Sequence, residues 1–196
     1  MSRNVMTIGS PAGPMELVSE DDMLVKAHFV VESDAGRAAD NASGVAPELS
    51  VESAVDASPR AAPSAEVSTS DADPDPLLAA VEEQLRAYFA GKQQEFSVPM
   101  AASGTDFQKR VWAELVRIPY GATASYGEIA KRLGLPSGAS RAVGLANGRN
   151  PIAILVPCHR VIGANGKLVG YAGGLERKKQ LLNLEASHAG QAALFA

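Results

Sequence analysis

The chain of 196 residues holds a single cysteine, Cys158, one tryptophan and only 5% aromatic side chains. A lone thiol forms no internal disulfide, has no resolving partner for redox cycling and cannot build a thiolate zinc cluster. Two readings of it remain: a buried inert sulfur, or one reactive thiolate. Long apolar runs are also missing. No stretch approaches the roughly 20 residues that cross a bilayer, and Met1-Ser2-Arg3-Asn4 lacks the apolar core of a signal peptide. The expectation is a soluble cytoplasmic or nucleoid-associated protein of a reducing compartment, with no membrane role.

The formal net charge of -4 hides a division. Residues 1–100 carry 6 basic and 17 acidic side chains, whereas residues 101–185 carry 12 basic and 5 acidic ones. A basic second half suits an anionic polymer such as nucleic acid, but it is equally a solvated basic surface. Charge alone leaves both open.

Three regions follow along the chain. Val5–Ile8, Met15–Val18 and Met23–Val31, separated by Pro11-Ala12-Gly13-Pro14 and Glu20-Asp21-Asp22, predict a small antiparallel meander. Residues 34–75 are rich in Ala, Ser, Pro, Asp and Glu without an aromatic residue, the composition of a disordered acidic insertion. Asp75-Pro76 then reads as an N-cap followed by proline in the first turn. Leu78, Val81, Leu85 and Tyr88 or Phe89 recur at helical spacing, and this helix is expected to pack on the meander. Glu95–Pro99 offers one more short strand. These elements form an α/β domain over residues 1–100, interrupted at 34–75, with a second domain over 101–186 and a tail at 187–196.

The second domain reads as mainly helical. Thr105 and Gln108 form a capping box, and Phe107, Val111, Leu115 and Ile118, with Trp112 alongside, make a core stripe. Ser125 and Glu128 form a second capping box, opening a short helix through Leu133. Gly134–Gly138 is a turn, and Ala139–Gly148 the next helix. Two short helices about a glycine-containing turn resemble a helix-turn-helix, although helical hairpins in enzymes look alike. Ser140, Ala142 and Gly144 are small and Arg141 is the one long cation at the helix start. That suits backbone docking with an arginine wedge better than base readout, or simply a helix with small packing residues.

Pro157-Cys158-His159-Arg160-Val161 follows the apolar run 152–156. Neighbours on an extended strand face opposite ways, so a water-bridged relay from His159 to Cys158 is easier than direct contact unless the backbone turns at Pro157. His159 acts as a base only when a partner fixes its tautomer. Glu176 and Glu185 are the candidates, and Glu185, ending the run Leu181-Leu182-Asn183-Leu184, is the one expected to point inward. The neighbouring His and Arg favour a depressed thiol pKa and hence reactivity over inert burial.

Asn150-Pro151, Ile154–Gly163 and Gly170–Lys178 resemble the O6-alkylguanine-DNA alkyltransferase family. Ser125-Tyr126, Arg141-Ala142-Val143-Gly144 and Asn147-Gly148-Arg149-Asn150 fit the same pattern. The resemblance is close from Thr105 to Glu185 and weaker over the N-terminal half. It implies a ribonuclease H-like N-terminal domain (small antiparallel sheet plus helix) and a C-terminal winged helix-turn-helix-like DNA-binding unit. It implies irreversible transfer of an alkyl group from guanine O6 in double-stranded DNA to Cys158, once per molecule, after the nucleotide is flipped out. The implied catalytic set is Cys158, His159, Glu185 and Asn150; Tyr126, Ser140, Arg141, Ala142 and Gly144 would meet DNA, with Arg141 as the intercalating finger. Tyr126, Val161, Tyr171 and Ala172 would form the substrate pocket, with backbone groups of Cys158, Val161 and Ala172 on the guanine edge.

Some relatives bind structural zinc through N-terminal cysteines and histidines. Here that half has no Cys and only His28, so no metal and no cofactor are expected, and a monomer is. The rival readings are a non-catalytic alkyltransferase-like DNA-damage-binding protein, a cysteine hydrolase and a transcriptional regulator. Cys158 in an intact motif argues against the first, the hydrolase would need water to release its product, and no additional sequence-reading domain supports the last.

Overall fold

The computed structural model describes residues 2–30, 75–191 and 193–195, so most of the acidic stretch at 34–75 lies outside the described residues. Three antiparallel strands, β1 (Arg3–Ile8), β2 (Met15–Glu20) and β3 (Met23–Phe29), form a meander in the order β1-β2-β3. Asp21 and Asp22 make the two-residue β2–β3 turn, with φ of 47° and 61°, a mirror-image turn that matches strand twist and that Asp tolerates. A register shift between Val18 and Ser19 lets Leu17, Val18 and Ser19 all be buried in succession.

Helix α1 (Pro76–Phe89) is capped by Asp75, whose Oδ1 accepts from the amides of Leu77 at 2.8 Å and Leu78 at 3.4 Å. Its Oδ2 accepts from Asn4 Nδ2 at 2.9 Å and from the Ser19 hydroxyl, tying the helix start to the sheet. Leu78, Val81, Leu85 and Tyr88 are buried, while Phe89 is only partly so, and α1 packs on β2 and β3.

Glu95–Pro99 is not a strand. Gln84 Oε1 accepts from the Ser97 amide and from Gln93 Nε2, and Pro99 has no N–H to continue a ladder. A single parallel bridge remains at Met100, where the Leu24 amide donates to Pro99 O and the Ala101 amide to Leu24 O, each at 2.9 Å. Strand β3 takes a second segment further along: the Ala27 amide donates to Pro151 O at 2.9 Å and the Ala153 amide to Ala27 O at 2.7 Å. The β3 edge of the sheet thus fixes the chain just before Cys158.

Helix α2 (Asp106–Val116) has the Thr105/Gln108 capping box and buries Val111, Trp112 and Leu115; Phe107 is half-buried. Trp112 Nε1 donates to Ala146 O at 2.9 Å, anchoring α2 to α4. After β4 (Ala124–Ser125), helices α3 (Tyr126–Arg132) and α4 (Ser140–Gly148) form the hairpin about the glycine-containing turn. β4 pairs in parallel with β5 (Val161–Ile162), Ala124 opposite Val161, so Tyr126 starts its helix beside the cysteine turn. Helix α5 (Leu175–His188) closes the molecule and packs on that turn. No helix among the described residues is long and apolar enough to cross a membrane.

Removing the α1 cap should be felt throughout the N-terminal half. Asp75→Ala is expected to lower stability by about 1–2 kcal/mol, and Asp75→Asn by less, since it keeps an acceptor. Urea unfolding midpoints at neutral pH measure both.

Candidate active site

The run 152–156 is not an extended strand. Ile154 sits at φ 71°, a strained conformation for a β-branched residue, and the chain folds back so that Ala153 bridges Val156. Asn150 holds this reversal. Its Oδ1 accepts from the Ile152 amide at 3.1 Å, and its Nδ2 donates to Val156 O at 2.8 Å and Ile152 O at 3.3 Å. Pro157 then enters a 3-10 turn, Cys158–Arg160. Strand alternation therefore does not decide where Cys158 and His159 point. The turn sends the two side chains in different directions all the same.

Cys158 is buried at 6% exposure and lines a cavity of about 120 Å³ together with Phe29, Asn147, Asn150, Tyr171 and Ala172. Gly173 is needed there, because a Cβ would stand 2.8 Å from the Tyr171 ring and 3.1 Å from that of Phe29. A larger hollow of about 470 Å³, walled by Phe96, Tyr120, Leu155 and Arg160, does not include the thiol.

Behind the turn lies Glu185, fully buried. Its Oε1 accepts from His159 Nε2 at 2.7 Å, the Tyr88 hydroxyl at 2.7 Å and Arg160 Nη2 at 3.0 Å. Its Oε2 accepts from Arg160 Nε at 2.9 Å and the Gly121 amide at 3.1 Å. Burial alone would raise this carboxyl, but the hydrogen bonds from His159 and Arg160 and the charge of Arg160 outweigh it and hold the pKa at about 2. An ionised carboxylate only accepts, so His159 Nε2 carries a hydrogen. Arg160 already neutralises Glu185, and burial lowers the His159 pKa. His159 is therefore neutral, and its Nδ1, unpartnered among the described residues, keeps its lone pair.

The thiol pKa is raised, not depressed as the sequence suggested. Burial pushes it up, against the opposing effects of the Asn150 side chain, the Lys178 charge and the amides of Cys158 and His159. The expected helpers are occupied elsewhere, since Arg160 is spent on Glu185 and on Ile118 O at 2.7 Å. Lys178 supplies the nearby cation instead. It is buried, its Nζ is held by Val169 O at 2.7 Å and Gly170 O at 3.3 Å, and burial lowers its pKa to about 8.

The other expected site residues are distributed over the neighbouring elements. Tyr126, half-buried, donates its hydroxyl to Val169 O at 3.1 Å, and Gly144 faces its ring, where a Cβ would fit at 3.7 Å. Arg141 and Ala142 are exposed on α4, with Ser140 and Gly144 partly covered. Tyr171 and Ala172 line the thiol cavity; Tyr126 and Val161 do not. Val161 is fully buried against β4, and its amide is committed to Cys158 O. Glu176, the rejected alternative, is exposed in the first turn of α5.

The family described as 6-O-methylguanine DNA methyltransferase matches twice: its ribonuclease-like domain over residues 5–102 and its DNA binding domain over 106–187. The chain belongs to the 6-O-methylguanine DNA methyltransferase family. The methylated-DNA–protein-cysteine methyltransferase of Mycobacterium bovis is 64% identical over 117 residues, covering 60% of this chain and 70% of that one. That of Methanosarcina acetivorans is 67% identical over 104 residues, covering 53% and 66%. The crystal structure of Mycobacterium tuberculosis OGT in complex with DNA superposes with a TM-score of 0.69 at 44% identity, covering 97% of this chain and 95% of that one. The small sheet with its helix and the helical DNA-binding half are thus the methyltransferase fold.

Sequence reasoning missed four groups around the cysteine turn: Tyr88, Asn147, Lys178 and the inward guanidinium of Arg160. Asn147 is buried and donates to Cys158 O at 3.3 Å. A signal existed for Lys178, because Lys178, Leu181, Leu182 and Glu185 share the one buried face of α5.

Glu185 has a folded pKa of about 2 against an ordinary 4.5. Such a group stabilises the fold fully above the unfolded value, and the contribution is lost as pH falls from 4.5 through 2. Glu185→Gln should lose on the order of 3 kcal/mol at pH 7, leaving Arg160 buried and unpaired. Its stability should also fall less steeply than that of the native protein below pH 4.5. Urea unfolding across that range tests both slopes; parallel curves would contradict the assignment.

Proposed function

We propose that this chain removes the alkyl group from O6-alkylguanine in double-stranded DNA and keeps it on Cys158, one transfer per molecule. The supporting observation is a buried thiol in a cavity, followed in the chain by a neutral histidine whose far nitrogen donates to an ionised, fivefold hydrogen-bonded carboxylate. The thiol proton passes through a water to His159 Nδ1, and Sγ attacks the alkyl carbon. The carbon–O6 bond breaks with its electron pair on guanine, and the proton ends on guanine N1. Sulfur is a strong nucleophile once deprotonated, and Asn150, Lys178 and the two amides favour the thiolate as it forms.

The α3–α4 hairpin suits the DNA side of this reaction. Ser140, Ala142 and Gly144 admit close approach of the backbone, Arg141 is placed to fill the stack left by the flipped nucleotide, and Tyr126 stands between that helix and the loop 163–174. Relatives that carry the methyltransferase name disfavour the hydrolase reading. The non-catalytic reading gives way to Cys158 and to relatives that carry the methyltransferase name. A single-use acceptor needs no second subunit, so the working unit is read as a monomer, with the division between its two domains near residue 100. A reducing cytoplasm would keep the lone thiol free.

Incubation with duplex DNA containing O6-methylguanine should add one methylene mass to the protein, on Cys158, and then stop. Intact-protein and peptide mass spectrometry reads this directly; repeated turnover or no mass change would sink the proposal. Arg141→Ala should slow transfer from duplex DNA about tenfold, a barrier change of about 1.4 kcal/mol, and leave reaction with the free alkylated base unchanged. Equal losses on both substrates would remove Arg141 from the flipping step.

A further inference from the structure

Helix α1 lines no part of the thiol cavity, but its last turn reaches the catalytic carboxylate. Tyr88 is fully buried, and its hydroxyl donates at 2.7 Å to Glu185 Oε1, the oxygen that also accepts His159 Nε2 at 2.7 Å. Its ring is held at centroid distances of 5.3 Å from Phe89, 5.6 Å from Phe96 and 5.8 Å from Tyr120. Those contacts need only the ring, so the hydroxyl is free to serve the carboxylate.

We propose that Tyr88 is a positioning residue for alkyl transfer: by sharing Glu185 Oε1 with His159 its hydroxyl keeps His159 a neutral base, so the N-terminal half sets the basicity behind Cys158. The inference rests on the reading of His159 as the base for Cys158. Negative charge on Oε1 favours the imidazolium, and every further donor to that oxygen draws some of it away. The groups facing the pair are all in view. Arg160 in the same turn and Lys178 on α5 oppose a protonated His159 by charge, and Glu185 favours it. Tyr120, from the segment before β4, stands near Glu185 and Arg160, and Cys158 is uncharged at rest. Burial and the Glu185 charge hold the Tyr88 phenol well above its ordinary pKa, so it remains a donor throughout the working range.

The test pairs Tyr88→Phe with 3-fluorotyrosine at position 88, a more acidic phenol and stronger donor. Single-turnover transfer from an O6-methylguanine duplex is followed from roughly pH 5 to 9, alongside the ¹⁵N titration of His159. Tyr88→Phe should move the acid limb and the His159 midpoint to higher pH by about one unit, a tenfold loss below the limb, with the alkaline plateau nearly unchanged. Fluorotyrosine should move both the other way, and it decides the matter if the phenylalanine variant folds poorly. Superimposable profiles, or an equal loss at every pH, would overturn the proposal and leave Tyr88 a packing residue. If the native protein transfers nothing, the reading of the reaction fails, while the His159 titration still tests the hydrogen bond.

Discussion

A charged carboxylate with no exposed surface is tolerated only where its donors converge. Glu185 draws its five from α1, from the Gly121 amide before β4 and from the Cys158–Arg160 turn, while itself belonging to α5. Misplacing any of these segments leaves a buried anion short of a partner. Arg160 extends the requirement, because its remaining Nη1 holds Ile118 O, two residues beyond α2. The same carboxylate therefore fixes the tautomer of His159 and fastens the two halves of the chain. On the proposed reaction, fold and reactivity share one set of hydrogen bonds.

The second constraint lies on the other side of the turn. Ile154 occupies a backbone conformation that costs on the order of 1–3 kcal/mol, and it is held there by neighbours on both flanks. Asn150 ties the reversal from inside, and the edge of β3 takes Pro151 and Ala153 from outside. The N-terminal sheet thus acts at the thiol twice, through its edge and through Phe29 in the cavity wall. Its edge strand sets where the cysteine turn begins, and α1 sets what stands behind its histidine.

Much of this was legible in the residues. The Asp75 cap, both capping boxes and the spacing of Leu78, Val81 and Leu85 are local signals, and local geometry obeys them. Glu185 could be read because a carboxylate closing an apolar run must be held by something. Glu95–Pro99 misled, since a short strand-like segment does not show that glutamine side chains will take its backbone groups. The thiol misled for a related reason. Proximity in sequence suggested that Arg160 would lower its pKa, whereas the 3-10 turn commits that guanidinium to Glu185. Tyr88 was indistinguishable from a core aromatic, because only the third dimension reveals what its hydroxyl meets 97 positions away.

A raised thiol pKa at first sight suits a nucleophile badly. For an acceptor used once it has an advantage. A standing thiolate in an open site would react with any soft electrophile or oxidant, and each such event would consume the molecule. Cys158 instead rests as a buried thiol, with a neutral histidine next in the chain, while the Asn150 side chain, the Lys178 charge and the amides of Cys158 and His159 oppose the effect of burial. Those groups favour the anion without quite overcoming burial. A base filling the cavity would supply an alkyl carbon along one axis and, at guanine N1, a destination for the proton. On the proposed reaction, deprotonation becomes favourable only together with bond formation, which confines reactivity to the substrate that completes the site.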